Sequence, residues 1–368
     1  MILLLLLERD RLQLLLSLSD AVQRWRAAKK RYNAEGKFTT MKQSIRKTVL
    51  ALAIAIAGSP AWSQTCQTAD EIPKPVKTAL EAAAQKTFEQ ASFGDVDAMH
   101  ANIAPSAQAS FAGMAAAVKD NKPVLVGTTP QLRISFLLDT GATPSPEGKF
   151  YCGVFGAAGA TASAAEFDLP GLPAGKYGIV IEDLQGAKGP YALTTIFQDA
   201  GGWKLAGFYV RPETALGHDG LWYLRRAREY KSQGQMHNAW FYYVTAWDLM
   251  APVTFMDSNL LAKITEESNS IQPKDVPVAG NVVNYSANGK TYKMSEIIVF
   301  RTETTLDLSI KYSVASTKDI ATAQKDARAL ADAFVAQYPE LREAFNNVWA
   351  RAVDPAGGVA VGVLKLKP

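Results

Sequence analysis

The spacing of apolar positions changes repeatedly along this chain, and each change marks a change of structure. From Val76 to Ala91 (VKTALEAAAQKTFEQA) apolar residues recur every three to four positions, the spacing of an amphipathic helix. Phe93-Gly94-Asp95 interrupts the run. Val96–Ile103 reads as a second, short helix and Ser106–Lys119 (SAQASFAGMAAAVK) as a third. The period then falls to two. Gln131–Leu138, Phe150–Phe155, Tyr177–Leu184, Tyr191–Gln198 and Trp203–Val210 read as strands, and Asp199-Ala200-Gly201-Gly202 as the tight turn joining the last two. Helices followed by a run of strands predict an α+β arrangement, with the helices on one face of an antiparallel sheet.

The helical period returns after residue 212. Asp219 is placed to cap a helix over Gly220–Gln233 (GLWYLRRAREYKSQ), which Gly234 ends. A second helix spans Met236–Met250 and stops before Pro252; a third spans Ser258–Ser268. In GQMHNAWFYYVTAWDLM, 234–250, a wheel of about 100° per residue gathers Ala239, Tyr243, Ala246 and Met250 in one arc. Tyr242 and Leu249 flank that arc on one side, Trp240 and Trp247 on the other. Only Phe241, Thr245 and Asp248 fall on the far face. The pattern predicts a seam buried between two layers. On that reading Ala246→Leu destabilises by overpacking, and His237→Ala does not destabilise. His237 and Asn238, polar and at the helix start, are the residues packing explains least. With Trp240 they are the candidate partner-binding residues.

Beyond residue 276 the period is two again. Asn288-Gly289 is a two-residue hairpin signal between Val282–Ala287 and Lys290–Met294, with Ile297–Phe300 extending the second strand. Thr305–Val314 alternates, placing Leu306, Leu308, Ile310, Tyr312 and Val314 on one face. Ser316 and Asp319 have capping-box spacing and open a helix to about Tyr338, striped by Ala323, Ala327, Leu330 and Phe334. Pro339 separates it from a shorter helix, Glu340–Asn346, and two last strands flank Asp354–Gly358. The expectation is a small antiparallel sheet with helices on one face.

Two of these blocks resemble known architectures. The long first helix, the segment GDVDAMHANIAPSAQASF (94–111) and the terminal pair YALTTIFQDAGGWKLAGFYV (191–210) look like the nuclear transport factor 2-like superfamily of cone-shaped domains. The resemblance covers about 73–212. It implies a curved antiparallel sheet, a pocket inside the cone and a homodimer through the open sheet face. That superfamily hosts isomerases, dehydratases and non-enzymatic binding modules, so fold leaves function open. The helix pair over about 219–252 resembles one tetratricopeptide unit: Tyr230, Gly234, Ala239, Tyr243 and Ala246 fall at its spacing of aromatic, turn glycine and small residues. Ala227 replaces the first-helix glycine of that motif, and Pro252 lies one place late. A lone unit needs a neighbour to bury its apolar face. The C-terminal block resembles no family.

Charge and the N-terminal text alter the picture of where such a chain works. Met41-Lys-Gln-Ser-Ile-Arg-Lys is basic, Thr48–Gly58 is uncharged and apolar, and Ala61-Trp62-Ser63 has small residues at −3 and −1: the layout of a signal peptide over 41–63. The apolar run is shorter than the ~20 residues that span a bilayer. Residues 1–40 are expected to be an untranslated leader upstream of Met41; the competing reading is an amphipathic, basic membrane-surface segment. Residues 1–63 hold 11 Lys/Arg and 4 Asp/Glu of the chain's 39 and 35, so the mature chain carries 28 against 31, a net charge of −3. With no basic stripe, nucleic acid is excluded as a partner. The expected location is periplasmic or secreted, with no stable membrane span after cleavage. There Cys66 and Cys152 either pair or remain two free thiols.

The candidate chemistry is thin. Three histidines of the mature chain, His100, His218 and His237, sit at unrelated spacings, and no HxxxH or CxxC occurs, so no metal and no cofactor is expected. No G-x-S-x-G elbow or nucleotide signature is present, and GVFGAAGATAS (153–163) reads as an inter-strand loop. His218, in Gly-His-Asp-Gly just before a helix, reads as a turn residue. Most acidic pairs read as solvated surface. A cone pocket would admit one carboxylate of Glu166, Asp168 or Glu182 beside Tyr151, Tyr177 or Tyr191, a base-and-donor pair for proton abstraction next to a carbonyl. Tyr151, Tyr177, Glu182 and Tyr191 are therefore the candidate ligand-binding residues. Two functions follow as expectations: a non-enzymatic module that binds a protein or small hydrophobic ligand, or assembles with a partner; and, as the alternative, a cone-domain isomerase or dehydratase acting on a small hydrophobic substrate.

Overall fold

The computed structural model describes residues 65–153, 164–186, 188–278, 281–302 and 304–367. The leader, the expected signal peptide and nearly all of the glycine-rich segment 153–163 lie outside them. Strand β1 (Thr65–Thr68) precedes helix α1 (Lys74–Phe93), whose buried Leu80, Ala84, Phe88 and Ala91 form the expected stripe. Gly94, at φ 75°, ends α1 by donating its N–H to Ala91, a left-handed cap that suits glycine. Asp95 caps the short α2 (Val96–Ala101). A 3-10 turn over Pro105–Ser110 leads to α3 (Phe111–Leu125). This third helix was expected to end at Lys119. It runs on through Pro123 because Leu125 is fully buried, and that packing outweighs one lost backbone hydrogen bond.

Strands β2 (Thr129–Asp139), β3 (Lys149–Cys152), β4 (Ala165–Asp168), β5 (Lys176–Gly186), β6 (Gly189–Asp199) and β7 (Trp203–Pro212) follow. Five strands pair antiparallel in the order β1-β2-β5-β6-β7. One face packs α1 and α3 through Leu80, Phe88, Met114, Val118, Val180, Leu193, Phe197 and Phe208. Gly178 on β5 is required there: a Cβ would lie 2.2 Å from Leu80 Cδ1. The opposite face packs Phe136, Ile179 and Ile181 against Phe150 and Phe167 of a second sheet, in which β4 lies between β3 and the later strand β10 (Met256–Asp257). The short β1, β4 and β10 went unread in the sequence. Cys66 on β1 and Cys152 on β3 form a disulfide with Cα atoms 4.9 Å apart, which joins the two sheets. The open face through which the family resemblance implies a dimer is thus covered within the chain itself.

A two-strand hairpin, β8 (Thr214–Ala215) and β9 (His218–Asp219), leads into α4 (Gly220–Ser232) and α5 (Met236–Met250). Asp219 accepts from Trp222 N–H at 2.7 Å, the expected cap. α4 and α5 cross closely at Gly220, where a Cβ would meet Ala246 O at 2.9 Å and Met250 Cγ at 2.2 Å. β10 (Met256–Asp257) pairs with β4, and α6 (Asn259–Asn269) follows, capped by Ser258.

The last unit is a five-stranded sheet, β11 (Val283–Ala287), β12 (Lys290–Arg301), β13 (Leu306–Ser313), β14 (Asn347–Val353) and β15 (Val359–Lys365), in that order. Asn288 and Gly289 take φ 53° and 73°, the left-handed pair a type I′ hairpin demands. The sheet was expected to be antiparallel throughout. Instead β13 and β14 are parallel, because α7 (Ile320–Gln337) and α8 (Leu341–Ala344) carry the chain back to the end where β13 began. The cap of α7 is Asp319, accepting from Thr322 N–H at 3.1 Å; Ser316 serves only Lys318. α7 lies close on β15: a Cβ at Gly362 would sit 2.2 Å from Arg328 N. The core of this sheet is continuous with α4 and α5, so the blocks 213–272 and 276–368 share one hydrophobic interior.

Candidate functional site

The four residues expected to line a cone pocket do not converge. Tyr177 and Glu182 lie five positions apart on β5, and side chains alternate, so they point to opposite faces. Tyr177 is packed against the second sheet and donates to Pro173 O at 3.1 Å. Tyr151 is 56% exposed at β3. Only Glu182 and Tyr191 share the helix-facing side, since Glu182 pairs with Leu193 and Leu184 with Tyr191. Glu182 is 5% exposed, between Leu132 and Leu193 across the ladder. Its Oε2 has no hydrogen-bond partner, and burial pushes the carboxyl up from 4.5 to about 7.

The partner-binding candidates are likewise not left for another molecule. Asn238 is fully buried and donates to Glu340 O at 2.7 Å and to Gln235 Oε1. His237 Nε2 lies 3.0 Å from Asp275 Oδ1, and its ring packs 3.9 Å from that of Tyr338. Burial raises the Asp275 carboxyl, but hydrogen bonds from His237 and Tyr338 hold it below its usual value. Trp240 is buried too. His237 and Asn238 fasten α5 to the C-terminal unit, which argues against the expectation that His237→Ala is neutral. The far face of α5 is also occupied: Phe241 packs edge-on to Phe345, and Thr245 is buried. Asp248 pairs with Arg211 of β7 and Arg301 of β12, joining all three blocks through one carboxylate. Burial raises this carboxyl, but the two guanidinium groups hold it below the ordinary value.

What the fold does assemble is a cleft of about 470 Å³ between α4, the β8–β9 hairpin and the 343–346 and 367 segments. Its helix side comes from Trp222, Arg225, Arg226, Glu229 and Tyr230, spaced i, i+3, i+4, i+7 and i+8, which puts them along one face of α4. The His218 ring stacks on Trp222 with centroids 3.8 Å apart and planes within 6°. Tyr223 meets Trp222 edge-on at 5.0 Å, and Tyr230 meets Tyr242 at 5.0 Å. The Tyr223 hydroxyl donates to Ala215 O and that of Tyr242 to Ala344 O. Burial pushes Tyr223 up to about 12 and Tyr242 further, so both stay protonated donors at neutral pH.

Arg226 is the anchor between the walls. It pairs with Glu229 and with Glu343 at 2.7 and 2.6 Å, and lies 4.4 Å above the Tyr230 ring. Glu343 also accepts from Gln235 at 3.0 Å. His218, read from sequence as a turn residue, is both: it sits in the hairpin and forms a wall of the cleft. Among the described residues no group of His, Cys, Asp and Glu is arranged to hold a metal. No family model, no curated protein and no solved structure matches this chain.

Proposed function

We propose that the mature chain works outside the cytoplasm as a non-enzymatic binding or assembly module, with the α4 cleft as its contact site. The observation that carries this reading is the cleft's preorganisation. Its aromatic rings are fixed by stacking and by hydroxyl bonds to carbonyls, and its central guanidinium is held by two carboxylates and a ring. Fixing the ring faces and polar groups of a site beforehand lowers the entropy cost of binding. Around 470 Å³ is within the small-ligand range.

A second reading, a cone-domain enzyme of isomerase or dehydratase type, is favoured by one observation: Glu182, buried with its Oε2 unpaired and protonatable near neutrality. Its donor on the same face would be Tyr191 in place of Tyr177. A fragment screen by two-dimensional NMR on the mature protein separates the two. The binding reading expects fragments to perturb Trp222, Arg225 and Lys367. Perturbations clustered on β5 and β6 around Glu182, with none at the cleft, would transfer the function to the cone.

A further inference from the structure

We propose that the cleft selects small molecules that combine a flat aromatic ring with a carboxylate, an assignment that rests on the cleft being the contact site. It follows from sorting the polar groups of the lining into committed and open ones. Arg226, Glu343 and the hydroxyls of Tyr223 and Tyr242 are committed to one another or to backbone. Glu229 spends one oxygen on Arg226 and leaves the other to solvent, while the open cationic capacity lies on donors. Arg225 is exposed and has no ion pair among the described residues. Lys367 spends one N–H on Glu343 O at 2.9 Å and retains two. Asn346 accepts from Leu306 N–H through Oδ1, which leaves its Nδ2 donors for the cleft. A rim of open donors, two of them cationic, calls for an anionic acceptor.

The charge count narrows the anion. Arg225, Arg226 and Lys367 face Glu229 and Glu343, which leaves one net positive charge. One carboxylate neutralises it; a dianionic phosphate overshoots. The walls specify the remainder of the ligand. The surface of Trp222 already carries a flat ring in parallel stack, that of the exposed His218. A ligand ring either extends that stack on His218 or takes its place on Trp222, and both use the face-to-face geometry the cleft displays.

The test is isothermal calorimetry on the mature, disulfide-intact protein at low salt, with 2-naphthoate, its neutral isostere 2-naphthamide and the cation 2-naphthylmethylammonium. The expected result is saturable binding of naphthoate, binding of the amide weaker by about tenfold or more, and none of the cation. Arg225→Gln is expected to weaken naphthoate about tenfold and leave the amide unchanged. Trp222→Leu is expected to weaken both, and Glu182→Gln neither. Arg225 is exposed, so its variant reports on binding even where Trp222→Leu fails to fold. Equal affinity for amide and carboxylate, with both lost in Trp222→Leu, would overturn the carboxylate selection and leave the cleft standing. Naphthoate binding that neither cleft variant alters would overturn the cleft assignment as well. No naphthoate binding at all would overturn the ligand class, with the fragment map then deciding the cleft.

Discussion

Replacing Glu182 with Gln exposes the energetic cost of a buried carboxylate, with Oε2 unpaired, on the helix-covered face of the first sheet. Glu182 faces α1 and α3 from the middle strand, with Leu132 and Leu193 opposite it and Val180 and Leu184 two positions away on the same side. No hydrogen bond compensates its Oε2, and burial lifts the carboxyl from 4.5 to about 7. The native state therefore holds a proton that the unfolded chain releases between those values. A raised carboxyl favours folding fully below about pH 4.5, and that advantage is lost as pH rises through about 7. At about 1.4 kcal/mol per pH unit, the gap is worth about 3 kcal/mol once the group is ionised. Gln has the same shape and is neutral at every pH. The urea stability of Glu182→Gln minus that of wild type should thus rise by about 3 kcal/mol from about pH 4 to about pH 9. Any packing offset of the amide cancels in that difference, as do all other titrating groups. A difference that stays constant with pH, or a wild type that gains on the variant in alkali, would refute the burial argument.

Four further outcomes are expected. Ala246→Leu places a branched side chain where α4 already approaches within contact of the α5 backbone, at a cost of about 1–3 kcal/mol; equal melting temperatures would remove the seam. Asp248→Ala strands Arg211 and Arg301, and since the carboxylate is 24% exposed the loss is about 2–3 kcal/mol. Because Asp248 is held below its ordinary value, that contribution is present at neutral pH and lost as the medium is acidified through the folded value, so a wild-type advantage that grows in acid contradicts the clamp. Reducing the Cys66–Cys152 bond, which spans 86 residues, should lower stability by about 4 kcal/mol; an unchanged urea midpoint in dithiothreitol counts against its structural role. His237→Ala should cost about 1–2 kcal/mol, read by thermal melting, through loss of the bond to Asp275 and the contact with Tyr338.

Legibility in the sequence tracked how local the deciding interaction was. α1, β5 to β7, the Asn288-Gly289 hairpin and the Asp219 cap were readable because periodicity or turn chemistry within a few residues decides them. The strands β1, β4 and β10 have two to four residues each, too short for a period, and exist because distant partners pair with them. The parallel pairing of β13 and β14 was hidden for the same reason: alternation along a strand does not record its neighbour's direction. Parity alone could have separated Tyr177 from Glu182. The helix half of the cleft was also visible, as Trp222, Arg225, Arg226, Glu229 and Tyr230 at helical spacing. Its other half was not, because Glu343, Ala344, Asn346 and Lys367 lie more than a hundred residues further along.

The cleft also sits where backbone energy is stored. The β8–β9 hairpin turns through Leu216 and Gly217, at φ 49° and 76°, the left-handed pair of a type I′ loop. Glycine takes that conformation freely, but a leucine held there costs about 1–2 kcal/mol. Asn or Gly in place of Leu216 would be the low-energy choice for the turn. Leucine persists because neighbouring contacts hold the loop: the pairing of Ala215 with His218 and the Tyr223 hydroxyl on Ala215 O. The turn delivers His218 onto Trp222 and places Leu216 itself in the cleft lining. Strain at a ligand-facing wall, over-determined by its surroundings, is characteristic of binding sites more than of connectors. The same hairpin begins at Thr214, two residues after β7 ends and three beyond Arg211 with its bond to Asp248. The wall that positions His218 is therefore close in sequence to the clamp by which Asp248 joins the first sheet, the helix pair and the C-terminal sheet.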